Sequence, residues 1–202
     1  MAKPGTHLEY LVTLQYRDRH SVGAERQRLG LSAFHWSVTI HLHTGSKHEY
    51  HRYDVTDAII LNEAGEDVNP DRNWVYRHQT TSTLPEVVRY LGAVRIPSAS
   101  PSHVRTSEDL DGFFKRLPVP KVSKEREENC LSWARSAIDA LREGGRVDQS
   151  FDVDEMMAFA LSHADERIKD FKNTPEIVDY PPKPEKQSML KSFLDRVKRT
   201  KA

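Results

Sequence analysis

An α+β fold, with a small antiparallel sheet flanked by helices, is the architecture this chain predicts, and three observations carry it. Residues 34–43 alternate strictly: Trp36, Val38, Ile40 and Leu42 point one way, His35, Ser37, Thr39, His41 and His43 the other. That is the period-2 pattern of a strand with one face in the core and one polar. Thr44-Gly45-Ser46 supplies a turn, and residues 49–55 read as the returning antiparallel strand. Far downstream, Leu131, Ala134, Ile138 and Leu141 recur at helical spacing, with Gly144-Gly145 as the stop.

Around these anchors the other elements follow in order. Residues 8–16 read as a first short strand, and the Arg-rich stretch 17–29 as a loop or short helix. Beyond the hairpin, residues 62–73 are turn-rich, with Gly65 and Pro70, before a strand resumes over 74–78. Thr83 as a cap and Pro85 in the first turn predict a short helix over 84–91. Two prolines and three serines make residues 96–102 a loop, and Pro118 and Pro120 break the chain again. Asp152 or Asp154 caps a further helix with the stripe Met157, Leu161, Ala164, Ile168 and Phe171. Pro175 and Tyr180-Pro181-Pro182-Lys183-Pro184 then favour an extended segment. The expected body is residues 8–172, and residues 173–202 a Pro-rich linker with a basic amphipathic helix or tail.

Thirty acidic and thirty basic side chains cancel, which speaks against a nucleic acid partner. No window approaches the roughly 20 apolar residues of a membrane span, and residues 1–7 lack the apolar run of a signal peptide, so membrane insertion is not expected. Cys130 is the single cysteine in 202 residues. It cannot form an intramolecular disulfide, and the expected setting is a reducing, cytoplasmic one.

The same cysteine is the leading candidate for chemistry. With Asn129 as N-cap, Cys130 falls in the first turn of its helix, where unpaired N–H groups favour the thiolate and can bind an oxyanion. His35, on the polar side of the central strand, is the candidate proton shuttle. His51 and Asp54, on the returning strand, are both candidates to orient it. The competing reading makes Cys130 a compact core residue. A helix capped earlier, at Ser123, would favour that reading, because Cys130 would then lie in mid-helix beside Glu127 and Glu128.

His41 and His43 share a strand face, and Glu49 across the hairpin would complete a site for iron, manganese or zinc. The spacing is similar to that of cupins, without their bracketing glycines or second motif; the plainer reading is a solvated, histidine-rich hairpin. Trp36, Trp74 and Trp133 read as core packing. Lys191, Arg196, Lys198, Arg199 and Lys201 read as a solvated basic face.

Histidine before cysteine is the order found in circularly permuted papain-like folds. His35-Trp36 opening a strand, then Cys130-Leu131-Ser132-Trp133 running through Ser136-Ala137-Ile138-Asp139-Ala140-Leu141 to Gly144-Gly145, resembles a group of small uncharacterised fungal proteins. That resemblance implies a compact α+β domain and, because such proteins accompany biosynthetic gene groups, a setting in secondary metabolite biosynthesis. The leading expectation is a cysteine-dependent acyl-transfer or hydrolytic enzyme, a transferase or hydrolase acting on a small-molecule or peptide substrate without a cofactor. A non-catalytic binding protein and a metal-dependent enzyme using His41, His43 and Glu49 are the alternatives.

Overall fold

The computed structural model describes residues 6–85, 89–97, 107–121, 128–170 and 176–180. Strands β1 (Thr6–Tyr16) and β2 (Phe34–Thr44) pair antiparallel along their whole length. Between them the Arg-rich segment forms α1 (Gly23–Leu29). β2 returns as β3 (Lys47–Thr56) through Gly45-Ser46. Gly45 has φ 62°, the positive value that a type II′ turn requires at its first central position. Strands β4 (Val75–Thr81), β5 (Tyr90–Ile96) and β6 (Ile177–Asp179) complete one sheet in the order β4-β3-β2-β1-β5-β6, antiparallel except for the β5–β6 pair. Helices α2 (Ser107–Lys115), α3 (Cys130–Glu143) and α4 (Val153–Asp170) follow. The α+β class is therefore the one the alternation and helical spacing predict.

Trp36, Val38 and Ile40 of β2, with Tyr53 and Val55 of β3, are fully buried in one core with Trp133, Ala137 and Ile138 of α3 and Met157 and Ala160 of α4. Each large side chain buried there contributes roughly 1.5–3 kcal/mol. The three hydroxyls of Thr13, Ser37 and Thr39 are buried on the opposite face and satisfy one another, Thr13 Oγ1 lying 2.6 Å from Ser37 Oγ and 3.2 Å from Thr39 Oγ1.

Three elements differ from expectation. Residues 84–91 do not form a helix: Leu84 and Pro85 are non-helical, residues 86–88 lie outside the described set, and Tyr90 and Leu91 open β5. Tyr90, Leu91, Ala93, Val94 and Ile96 are all buried, so the strand has no polar face to give it period-2 alternation. Gly92 within it has φ 104°, where a Cβ would meet the Glu176 carbonyl at 2.8 Å. The compact body also passes residue 172, because β6 adds to the sheet and Tyr180 is buried against Phe151 and Phe159. Helix α2 has no counterpart in the sequence reading. Of the loop expected over 96–102, Ile96 instead ends β5, and residues 98–102, like the basic helix or tail from residue 181 onward, lie outside the described residues.

Candidate functional site

Helix α3 begins at Cys130, not near Ser123. The Asn129 side chain accepts the N–H groups of Leu131 (2.9 Å) and Ser132 (3.3 Å), and the Ser132 hydroxyl accepts the Asn129 N–H at 2.9 Å. This reciprocal capping box sets Cys130 in the first helical turn. The cap takes the amides of Leu131 and Ser132 and leaves that of Cys130 to other partners.

The sheet is open where this helix arrives. Phe34 to Ser37 pair with β1, but the β2–β3 ladder runs only from Val38–Tyr53 to Thr44–Lys47. The Cys130 sulfur occupies the free edge of β2, 3.9 Å from the Phe34 carbonyl and accepting a hydrogen bond from the Trp36 backbone N–H. A helix packed on the core face can thereby present its first side chain to His35, which projects from the other face.

His35 is hydrogen-bonded to Cys130, and its Nε2 lies 3.2 Å from Asp54 Oδ2. Asp54 is 1% exposed and is held bidentately by Arg77, whose Nε and second guanidinium nitrogen donate at 2.8 and 2.9 Å; Arg52 Nε approaches at 3.4 Å. The side chains form a continuous line from Cys130 through His35 and Asp54 to Arg77.

Burial opposes charge at each member, and the partners outweigh it. Burial alone would depress His35, but hydrogen bonds to Asp54 and Cys130, together with their charges, raise the imidazole to about 9. Burial would raise the Cys130 thiol, but the hydrogen bond and charge of His35, the Trp36 N–H and the nearby Arg17 hold it below its ordinary value. Asp54, likewise penalised by burial, is drawn down to about 2 by hydrogen bonds and charge from His35 and Arg77. Opposite shifts on a bonded thiol and imidazole favour a thiolate–imidazolium pair.

The remaining candidates lie elsewhere. His51 pairs with Ile40 on the core face, where its Nδ1 is 3.2 Å from His78 Nε2, so it is Asp54 that meets His35. His41 and His43 do share a face, their rings stacked with centroids 4.6 Å apart. Glu49 pairs with Leu42 and faces the opposite side, beside Lys47 and His51. The strand pleat therefore separates Glu49 from the two histidines. Trp36 and Trp133 are core residues, whereas Trp74 is only partly buried against that core.

Sequence reasoning missed Arg77, Arg52 and the Trp36 amide. Arg77 stands opposite Asp54 only because β4 pairs with β3 across a long connection, for which no local signal exists. Among the described residues no helix is long and apolar enough to cross a membrane. A model of a family of unknown function, DUF6914, matches residues 12–184. No curated protein and no solved structure matches the chain.

Proposed function

The chain belongs to this family of unknown function, and we propose that it is a cysteine-dependent acyl-transfer or hydrolytic enzyme acting on a small molecule or peptide. One observation carries the reading: a first-turn thiol hydrogen-bonded to an imidazole that is itself held by a buried carboxylate. In this reading the Cys130 thiolate attacks the acyl carbon, and electrons move to the carbonyl oxygen. The Cys130 amide at the helix start stabilises that oxyanion. As the tetrahedral adduct collapses, the His35 imidazolium gives its proton to the departing amine or alkoxide. Neutral His35 then takes a proton from water or an acceptor alcohol or amine, which attacks the thioester and regenerates the thiolate. Asp54 fixes the imidazole, and Arg77 and Arg52 fix Asp54.

Histidine on a strand preceding cysteine at a helix start supports a circularly permuted papain-like arrangement. A lone reactive thiol suits a reducing cytoplasm, and fungal secondary metabolism is the setting we propose. The 2% exposure of Cys130 favours the second reading, a non-catalytic binding protein in which the thiol is packing. Iodoacetamide alkylation of the folded protein across pH separates the two. The enzyme reading expects an apparent thiol pKa well below the reference of about 8.5, with loss of that depression in His35→Ala. A thiol inert while the protein stays folded, or a profile unchanged by His35→Ala, overturns it.

A further inference from the structure

A second cluster sits at the far end of the sheet. His43 lies eight residues from His35 along β2, about 26 Å at the rise of a strand. Here β1 and β2 pair His7 with His43 and Glu9 with His41, so all four side chains share one face. One nitrogen each from His7 and His43 and one Glu9 oxygen lie within 4.8 Å of one another. We propose that His7, Glu9 and His43 bind a divalent transition-metal ion, best zinc, which clips the start of β1 to the β2–β3 hairpin.

Two imidazoles and a carboxylate are a donor set that zinc takes in three-ligand sites, with a fourth position open to water. Zinc–nitrogen bonds near 2.0–2.1 Å imply ligand-to-ligand edges of about 3.3 Å in a tetrahedron. His7 Nδ1 and His43 Nε2 are 2.9 Å apart, so a small separation of the rings admits the ion. Glu9 is held in place: its Oε2 accepts from His41 Nδ1 at 2.7 Å and its Oε1 lies 3.1 Å from Arg95 Nε. His41, 8% exposed, is itself fixed by His48 Nδ1 at 3.0 Å from its Nε2 and by the Tyr50 ring stacked at 4.2 Å. An imidazole donating to a ligating carboxylate is the outer support that metal sites use. The Arg95 charge opposes a cation, and its ion pair with Asp179 offsets that. This set replaces Glu49 with Glu9, and His41 becomes the support rather than a ligand.

The test uses chelator-treated, tag-free, full-length protein titrated with zinc alone, and with cobalt(II) for its visible absorption. One equivalent should bind saturably, raising Tm by roughly 5–10 °C at a hundredfold excess over Kd. His43→Ala and Glu9→Gln should each weaken binding at least tenfold, and His41→Ala by about ten- to a hundredfold. His20→Ala and Cys130→Ala should bind as wild type, the latter keeping this test independent of the thiol chemistry. Absence of saturable binding, or binding indifferent to both His43→Ala and Glu9→Gln, overturns the proposal. Each variant's metal-dependent rise in Tm is compared with its own metal-free value, so a general loss of stability does not mimic loss of the site.

Discussion

Replacing Cys130 with alanine should convert a pH-independent contribution to stability into a pH-dependent one. The His35 imidazole rises from 6.5 to about 9, and its side chain is 16% exposed. At about 1.4 kcal/mol per pH unit, the bound proton contributes about 3 kcal/mol to the folded state. A raised pKa gives stability that is complete below 6.5 and is lost as pH climbs through about 9. Cys130 is lowered, so its contribution runs the other way, complete above the unfolded thiol's value of about 8.5 and lost as pH falls. A thiolate–imidazolium pair held across this window keeps the His35 proton that the unfolded chain has released, and lacks the Cys130 proton that the unfolded chain retains. The two counts cancel, and the pair contributes evenly across the window. In Cys130→Ala only His35 remains, still raised by Asp54, and stability should fall by about 1–3 kcal/mol from pH 6.5 to 9. Urea denaturation at closely spaced pH values, taken as wild type minus variant, cancels the other histidines. A wild type that falls as steeply as the variant refutes the thiolate–imidazolium pair. A difference that stays level refutes the cancellation itself.

Asp54→Asn keeps the shape of the buried side chain but leaves Arg77 and Arg52 without their counter-charge; it should cost about 3 kcal/mol in urea denaturation and return the alkylation pKa of Cys130 toward the reference. Asn129→Ala removes the acceptor of two first-turn amides, so a loss of about 1 kcal/mol is expected, with slower alkylation at neutral pH. Gly92→Ala meets the Glu176 carbonyl at 2.8 Å in a backbone conformation that alanine rarely adopts. It should lose about 2 kcal/mol and first loosen β6, which hydrogen exchange at Val178 and Tyr180 reads.

The hairpin was readable because its polar and apolar positions alternate and its turn is short. Paired residues of β2 and β3 sum to 91 throughout, from 44 with 47 to 38 with 53. Once the turn is placed at Gly45-Ser46, that parity alone puts Asp54 on the face of His35, and sends His51 and Glu49 to the other. The cap at Asn129 was readable because its residue types satisfy the helix locally. By contrast, β5 carries apolar residues on both faces and β6 is three residues long, so neither displays a period. The roles of Arg77, His7 and Glu9 depend on strand pairings set by long connections or by tertiary packing, which no window of sequence contains.

The break between β2 and β3 gives this protein a built-in spectroscopic reporter. The Trp36 amide sits at the edge of a buried strand yet donates to sulfur rather than to a carbonyl oxygen. Its resonance in a nitrogen–proton correlation spectrum should therefore move when Cys130 gains a proton, an alkyl group or an acyl group, while the Leu11 to Leu14 amides nearby hold still. One backbone signal would then follow the state of the thiol through a reaction without any label on the substrate.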